Sequence, residues 1–269
     1  MKKDYYIWGI LNVTPDSFSD GDGTATAEKH VGRGTKLVAD GADFIDMGGE
    51  STRPGYAPVP VADELARVLP VLRALVSQIS VPISLDTQKA DVAEMALVNG
   101  ATVVNDIWGL QGDGRMAEVI GRYGASVVIM HNRATIDPEI DIMADVARFW
   151  EKSLAIAKSA GIERVFLDPG IGFGKTDEQN WAILENIGTL VERFGPFPIF
   201  LGVSRKSFIG RQFNEPDPLR RDAASAEIAR EAVRMGVKHI RVHNVCLQMK
   251  PKNAPAIIKG LTSAYFPAV

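Results

Sequence analysis

The stretch VFLDPGIGFGK, residues 165–175, joins a short apolar run to a carboxylate and a glycine-rich loop. Val165–Leu167 has the continuous apolar character of a strand that is buried on both faces of a parallel sheet. Asp168 follows where this strand is expected to end, because Pro169 cannot donate a hydrogen bond to a neighbouring strand. A carboxylate at the mouth of a buried strand needs hydrogen-bond donors to offset its desolvation. We therefore predict that Asp168 faces a ligand that carries such donors.

Two other interpretations of this stretch are disfavoured. Asp168 is not needed as a helix cap, since Thr176 and Asp177 already precede the apolar-periodic segment that starts at Trp181. The loop is also not a nucleotide-binding loop of either common kind. Pro169 stands where the phosphate loop needs its first glycine, and Lys175 stands where the dinucleotide fingerprint needs its third.

Short apolar runs alternate with amphipathic helices along the whole chain. Strands are predicted at 6–11, 44–47, 82–85, 102–104, 126–130, 165–167, 199–202 and 238–242. Helices are predicted at 25–39, 62–76, 88–98, 115–122, 143–159, 178–193, 222–235 and 254–261. Eight such units without a long Pro- or Gly-rich linker predict an α/β fold, a single (β/α)₈ TIM barrel that takes residues 1–269 as one domain. A doubly wound open sheet is the alternative.

Composition bounds the function. The 269 residues are 46% hydrophobic and 23% charged, with a net charge of −3 and a pI near 5.9, which gives no support for a nucleic-acid or membrane partner. No apolar run reaches the roughly 18 residues of a membrane span. The opening MKKDYYIWG lacks a signal-peptide core, so we expect a cytoplasmic protein. Cys246 is the single cysteine, which excludes an internal disulfide, and its apolar neighbours predict that it is buried.

Polar residues gather at the predicted strand ends, which meet on one face of a barrel, where active sites lie. They are Asn12, Asp86, Asn105, Asp168, Lys206, Arg241 and His243. Carboxylate and amide oxygens suit a flat heterocycle rich in N–H donors, and Lys206 offers a donor for its ring nitrogen or carbonyl. Arg53, Arg241 and His243, with Asn12, suit phosphate or pyrophosphate. The alternatives are residues that merely end strands and solvated surface charges, and both are weaker at this face of a barrel.

Seven segments in order along the chain resemble the dihydropteroate synthases. They are GILNVTPDSFSDG (9–21), GADFIDMGGESTRPG (41–55), SLDTQKADVAEMA (84–96), VVNDI (103–107), LDPGIGFGK (167–175), GVSRKSFIG (202–210) and RVH (241–243). They cover nearly the whole chain and every loop of the predicted active face. The corrinoid-linked methyltransferases have a pterin-binding barrel of the same general kind but lack the STRPG and SRKS segments, so they are the second choice.

The resemblance implies condensation of a 7,8-dihydropterin-6-ylmethyl diphosphate with 4-aminobenzoate, giving 7,8-dihydropteroate and pyrophosphate. It implies that the pterin is bound by Asp86, Asn105, Met130, Asp168, Phe173, Lys206 and Arg241. It implies that the diphosphate is bound by Asn12, Thr52, Arg53, Arg241 and His243, with Asn12 also contacting Mg²⁺. The 4-aminobenzoate site it implies is formed by Phe18, Thr52, Pro54 and Ser207. The catalytic residues it implies are Asp20, Arg53, Lys206, Arg241 and His243, with Asp20 stabilising the cationic pterin methylene left by pyrophosphate. The partners it implies are these small molecules and a second copy in a homodimer.

The sequence departs from the family pattern at three places. Asn244 follows His243 where Asp is usual, Asp22 separates two glycines at 21–23, and MHNRA (130–134) stands where a Met-x-Gly ending is common. None of these changes removes a residue named above. A pterin-binding paralogue without turnover is the other hypothesis. Such a paralogue is expected to lose Arg53 or Lys206 first, and both are present, which favours the enzyme.

Overall fold

The computed structural model describes residues 3–14, 27–51 and 58–249. Within these residues eight strands form one parallel sheet, in the order β6-β5-β4-β3-β2-β1-β8-β7. The strands are β1 (Tyr6–Asn12), β2 (Phe44–Gly48), β3 (Ile83–Asp86), β4 (Val103–Asp106), β5 (Ser126–Met130), β6 (Val165–Asp168), β7 (Phe200–Leu201) and β8 (His239–Val242). The helices are α1 (Ala27–Ala39), α2 (Val61–Gln78), α3 (Ala90–Val98), α4 (Met116–Arg122), α5 (Ile142–Ser159), α6 (Asp177–Glu185), α7 (Ile187–Arg193), α8 (Ser207–Gln212), α9 (Asp222–Arg234) and α10 (Val245–Met249), with a 3₁₀ turn at Pro218–Arg221.

The last gap in the sheet, between β6 and β7, is bridged by the backbone. Leu167 and Ile199 form a parallel bridge, and the Leu167 N–H donates to the Pro198 carbonyl at 3.1 Å. The predicted (β/α)₈ TIM barrel is therefore confirmed, and the open doubly wound sheet is wrong. Among the described residues no helix is both long and apolar enough to cross a membrane.

Aromatic side chains fill the lower part of the barrel interior. Trp8 stacks on Phe44 with 4.2 Å between ring centroids and meets Phe200 edge-on at 4.8 Å. Phe166 and His239 complete this layer. The Trp8 indole N–H donates to Nδ1 of His239 at 3.0 Å, and burial lowers the pKa of this histidine to about 4. Large, neutral side chains thus close the barrel below the strand ends, so no channel passes through it.

The opposite faces of the strands pack against the helices. Ile45 and Met47 of β2 and Leu85 of β3 alternate with inward-facing residues and are completely buried, as a two-residue period requires. On α2, Val68, Leu72 and Leu75 recur at helical spacing and are buried. Two concentric layers of apolar side chains result, and most of the charged side chains of the strands lie towards their carboxyl ends.

The elements differ from expectation mainly at their boundaries. Asp86, Asn105 and Asp168 lie within their strands rather than after them. The predicted helix at 178–193 is two helices, α6 and α7, because the Asn186 side chain donates to the Ala182 carbonyl at 2.8 Å and ends the first. The short helices α8 and α10 were not predicted, and the predicted helix at 254–261 lies outside the described residues.

The prediction that Cys246 is buried is wrong. Cys246 is exposed on α10. The buried residues of this helix are Val245 and Gln248, three positions apart, and this spacing turns Cys246 outward. The apolar neighbours of Cys246 in the sequence did not predict its exposure, because exposure depends on the face of α10 that it occupies and α10 was not predicted.

Thr176 caps α6 as the sequence predicts. Its hydroxyl accepts from the Gln179 N–H at 3.2 Å, and the Gln179 side chain accepts from the Thr176 N–H at 3.0 Å, which completes a capping box. Two N–H groups at the start of the helix are thereby satisfied without Asp168.

We expect Thr176→Ala to lower the free energy of unfolding by about 1 kcal/mol, because one N–H in the first turn of α6 loses its acceptor. Urea denaturation measures this change. Thr35→Ala is the matched control, since the Thr35 hydroxyl only donates to carbonyls of its own helix. An equal loss of stability in both variants would contradict the capping role.

Candidate active site

A small cavity opens at the carboxyl ends of the strands. Its apolar lining consists of Ile10, Ile107, Met130, Ile171 and Phe173. Its polar lining comes from five different strands or the loops that follow them: Asp86, Asn105, Asp168, Ser204, Lys206 and Arg241. The structure therefore brings together all the residues predicted to bind the pterin, on the face where barrel active sites lie.

One side of the cavity carries buried hydrogen-bond acceptors that the protein leaves open. Oδ1 of Asp86 and Oδ1 of Asn105 are buried, and neither has a hydrogen-bond partner among the described residues. Both residues line the cavity. Because a buried acceptor without a donor is costly, this arrangement favours a ligand that presents N–H groups on its edge.

Asp46 belongs to this site and was missed in the sequence. It lies in the middle of β2, is completely buried, and accepts from the Asn105 side chain at 3.1 Å. The Arg241 guanidinium donates to Asp46 and also to Asp86, the latter at 2.8 Å. Arg241 is thus held between two carboxylates. The signal in the sequence was the single charged residue inside the apolar run FIDMG.

Burial shifts the pKa values of the site. It raises the pKa of Asp86 to about 7, although Arg241 opposes the shift. It raises the pKa of Asp168 to about 6, opposed by the hydrogen bond from the Gly170 N–H and by Lys206. Burial alone would lower the pKa of Arg241, but Asp46 and Asp86 raise it on balance. Perturbed carboxyls in a cavity are typical of functional sites.

The glycine-rich loop after β6 wraps around a buried lysine. Lys175 donates to the carbonyls of Gly170 at 2.7 Å and Phe173 at 3.0 Å, and burial lowers its pKa to about 7. Gly170 has φ +65, and a Cβ there would lie 1.8 Å from the His131 carbonyl oxygen. Only glycine fits this close approach, which brings the Gly170 N–H to Asp168 Oδ1 at 2.7 Å.

Lys206 and Ser204, from the loop after β7, add an ammonium and a hydroxyl to the cavity lining. The Lys206 ammonium lies 4.1 Å from the centroid of the Phe173 ring. Ser204 is hydrogen-bonded to Nδ1 of His243 at 2.9 Å and accepts from the His243 N–H at 3.1 Å. The hydroxyl thereby fixes the orientation of the His243 imidazole.

Other predicted site residues lie at the rim or cannot be placed. Asn12 ends β1 and Ser207 is exposed at the start of α8, and neither is among the residues lining the cavity. His131, the second residue of MHNRA, is buried behind the wall and contacts Asp145 of α5 at 3.1 Å. Five predicted residues lie outside the described residues: Phe18, Asp20, Thr52, Arg53 and Pro54.

A metal at this site would find few protein ligands. Within residues 3–14, 27–51 and 58–249, no group of three or more His, Cys, Asp or Glu side chains is placed to hold an ion. Asn12 offers an amide oxygen, a hard ligand that suits Mg²⁺ when a substrate supplies further oxygens. The residues present therefore fit a Mg²⁺ that arrives with a phosphate-bearing ligand.

Comparison with known proteins gives a consistent result. Residues 8–243 match the family model described as pterin binding enzyme. The chain is 43% identical over 245 residues to the dihydropteroate synthase of Clostridium beijerinckii, covering 89% of each chain. It is similar to the dihydropteroate synthase structure from Clostridium difficile determined in the presence of pteroic acid, with a TM-score of 0.86, 45% identity and coverage of 91% and 92%. It is also similar to the Xanthomonas albilineans enzyme in complex with 7,8-dihydropteroate, with a TM-score of 0.83, 37% identity and coverage of 91% and 89%.

The raised carboxyl pKa values make stability depend on pH. The folded state favours the protonated form of Asp168 more than the unfolded state does. The contribution of this proton to the free energy of unfolding is therefore complete below about pH 4 and is lost as the pH rises through about 6. Asp168→Asn mimics the neutral form. We expect its free energy of unfolding, relative to wild type, to increase between pH 4.5 and 7.5 by roughly 2 kcal/mol, at about 1.4 kcal/mol per pKa unit, because part of the shift from 3.8 to about 6 takes effect below pH 4.5.

Chemical denaturation at a series of pH values measures this difference. Asp63→Asn is the control, because that side chain is exposed in the first turn of α2 and stays solvated in the native state. A difference between Asp168→Asn and wild type that does not vary with pH would show that burial does not raise the pKa of this carboxyl.

Proposed function

The chain belongs to the dihydropteroate synthase family of pterin-binding enzymes, and we propose that the cavity around Asp168 is where its reaction takes place. The enzyme is a transferase of folate biosynthesis. It condenses (7,8-dihydropterin-6-yl)methyl diphosphate with 4-aminobenzoate to give 7,8-dihydropteroate and pyrophosphate.

The open acceptors of Asp86 and Asn105 are the observation that carries the assignment. A pterin presents a 2-amino group and ring N–H groups along one edge, so it supplies the donors that these buried oxygens lack. Asp168 accepts from the same edge, and Lys206 donates to a ring acceptor. The apolar walls, with Met130 and Phe173, match the two faces of a flat ring.

The diphosphate of the substrate is assigned to the rim between β1 and β8. These strands are neighbours in the sheet, so Asn12 at the end of β1 and His243 after β8 lie on the same side of the barrel mouth. Arg241, also from β8, joins the two subsites, because it reaches the cavity while its guanidinium is bound to Asp46 and Asp86. Thr52 and Arg53 would complete this subsite from outside the described residues.

Bond breaking in this proposal precedes attack by the amine. The C–O bond to the diphosphate breaks with its electron pair leaving on pyrophosphate, and the pterin methylene becomes cationic. Cations at the rim stabilise the departing anion, and the buried carboxylates stabilise the cation left behind. The amine of 4-aminobenzoate then forms the C–N bond and loses a proton. Asp20, which lies outside the described residues, is proposed to add a further carboxylate near the cationic methylene.

The site for 4-aminobenzoate is assigned to the outer mouth of the cavity. Ser207 is exposed at the start of α8, directly after Lys206. Its position next to a cavity residue supports a role at the end of the pterin where the new bond forms. Phe18, Thr52 and Pro54 are the other proposed contacts, on the strength of the sequence. The homodimer and the cytoplasmic location remain predictions.

We expect the wild-type protein to release pyrophosphate from the pterin diphosphate in continuous turnover only when 4-aminobenzoate is present to react with the cationic pterin. A coupled pyrophosphate assay tests this directly. Asp168→Asn should weaken binding of a pterin analogue by more than 100-fold, since it exchanges a charge-assisted acceptor for a donor facing donors, at a cost on the order of 3 kcal/mol.

Calorimetric titration of the analogue measures that loss, with Asp63→Asn as the control. Tight pterin binding without pyrophosphate release would instead support the paralogue that binds without turnover. Unchanged binding by Asp168→Asn would remove this residue from the pterin site.

A Mg²⁺ bound at Asn12 would neutralise charge on the diphosphate. Since the described residues offer no carboxylate cluster, we expect calorimetry to show weak Mg²⁺ binding to the protein alone and stronger binding when pyrophosphate is present. Asn12→Ala should abolish the increase. Tight Mg²⁺ binding without pyrophosphate, unaffected by Asn12→Ala, would place the metal elsewhere.

A further inference from the structure

Arg205 has a backbone conformation that is unusual for its residue type. Its φ is +61, in the left-handed region that residues other than glycine adopt at a cost in free energy. It stands between Ser204 and Lys206, both of which line the cavity. A conformation of this kind persists only where the surrounding structure holds it, and such positions cluster at functional sites.

The start of α9 and the turn before it hold Arg205 by three contacts. The Arg205 N–H donates to the Ser225 hydroxyl at 3.0 Å, and its carbonyl accepts from the Arg221 guanidinium at 3.2 Å. Its own guanidinium forms a bidentate pair with Asp222, at 2.6 and 2.9 Å. The two side chains of this pair are 23% and 15% exposed, so the pair is shielded from water more than an ordinary surface ion pair.

The same carboxylate also reaches the loop after β8. Asp222 accepts from the Asn244 side chain at 3.2 Å, and Asn244 follows His243, whose ring is bound to Ser204. The loops after β7 and β8 are therefore connected twice. Ser204 bonds directly to His243, and Arg205 is connected to Asn244 through the shared carboxylate of Asp222. Asn at 244 donates to Asp222, whereas an aspartate there would place a second carboxylate beside the first.

We propose that Arg205 and Asp222 are positioning residues for Lys206. The ion pair holds Arg205 in its left-handed conformation, with the Arg205 side chain directed away from the cavity. In this conformation the two flanking residues, Ser204 and Lys206, both face the cavity. Lys206 lies over the Phe173 ring, so a change of backbone at 205 moves the ammonium away from the pterin subsite. This inference rests on the proposed function, in which Lys206 binds the pterin.

A comparison of Arg205→Ala with Arg205→Gly tests the proposal. Both variants lose the ion pair, but glycine adopts the left-handed conformation with little cost while alanine does not. We expect Arg205→Ala to lower kcat/KM for the pterin diphosphate and to weaken binding of a pterin analogue. Arg205→Gly should retain about tenfold more of both. If Arg205 mattered only for stability, the two variants would differ in their free energy of unfolding but would bind the analogue equally well. Equal losses of pterin binding in the two variants, or none in either, would therefore overturn the proposal.

Asp222→Asn provides a second, milder test that keeps the shape of the side chain. Alone, it should weaken pterin binding. Combined with Arg205→Gly, it should add little, because the contact it breaks is already absent. If the losses of pterin binding in Asp222→Asn and Arg205→Gly add up in the double variant, the proposal is overturned. This comparison does not need Arg205→Ala, so it tests the proposal even if that variant does not fold.

Arg211→Ala is the matched control. Arg211 forms a similar bidentate pair with Asp177, at 2.6 and 2.6 Å, but that pair joins α8 to α6 at the surface and flanks no cavity residue. Its kcat and KM should equal those of wild type. A wild-type protein that releases no pyrophosphate would refute the proposed function itself, whereas an active wild type with equal losses in the alanine and glycine variants would refute only the role of Arg205.

Discussion

The Arg241 guanidinium, held between Asp46 and Asp86, is the interaction on which the site depends. Asp46 is completely buried and Asp86 nearly so, and two carboxylates so close inside a barrel would repel strongly without a cation between them. Arg suits this position because its planar guanidinium donates in two directions and does not lose its charge. Three strands, β2, β3 and β8, are thereby joined through side chains as well as through their backbones.

The aromatic layer below this cluster determines how strong its electrostatics are. Trp8, Phe44, Phe166 and Phe200 exclude water from the lower barrel, so the charges above them are solvated from the cavity side alone. That is the physical reason why the pKa of Asp86 rises to about 7 in spite of Arg241. It also explains why the buried acceptors of the cavity favour binding: a ligand supplies hydrogen-bond donors that neither water nor the described part of the protein gives these oxygens.

The sequence predicted much of this arrangement, and its failures have physical causes. The alternation of strands and helices predicted the barrel, and Asp86, Asn105 and Asp168 were identified because polar residues at the ends of apolar strands have few other reasons to be there. Asp46 was missed because it lies inside a strand, where only the closed barrel reveals that it faces charged neighbours. The conformation of Arg205 was equally hidden, since it depends on contacts with α9 that no local pattern reports.

The balance of charge around the cavity fits the proposed order of bond breaking. Of the described residues that line it, Asp86 and Asp168 are acidic and Arg241 and Lys206 are basic, and Asp46 adds a further carboxylate directly behind Arg241. With the carboxyls ionised, this group has a net negative charge beneath the pterin ring. A cationic pterin methylene would therefore form in a favourable potential, whereas the same residues would disfavour accumulation of negative charge on the ring. Protonation of Asp86 would cancel that excess, so the pKa of this carboxyl, close to neutrality, couples the electrostatic support of the cation to the pH at which the enzyme works.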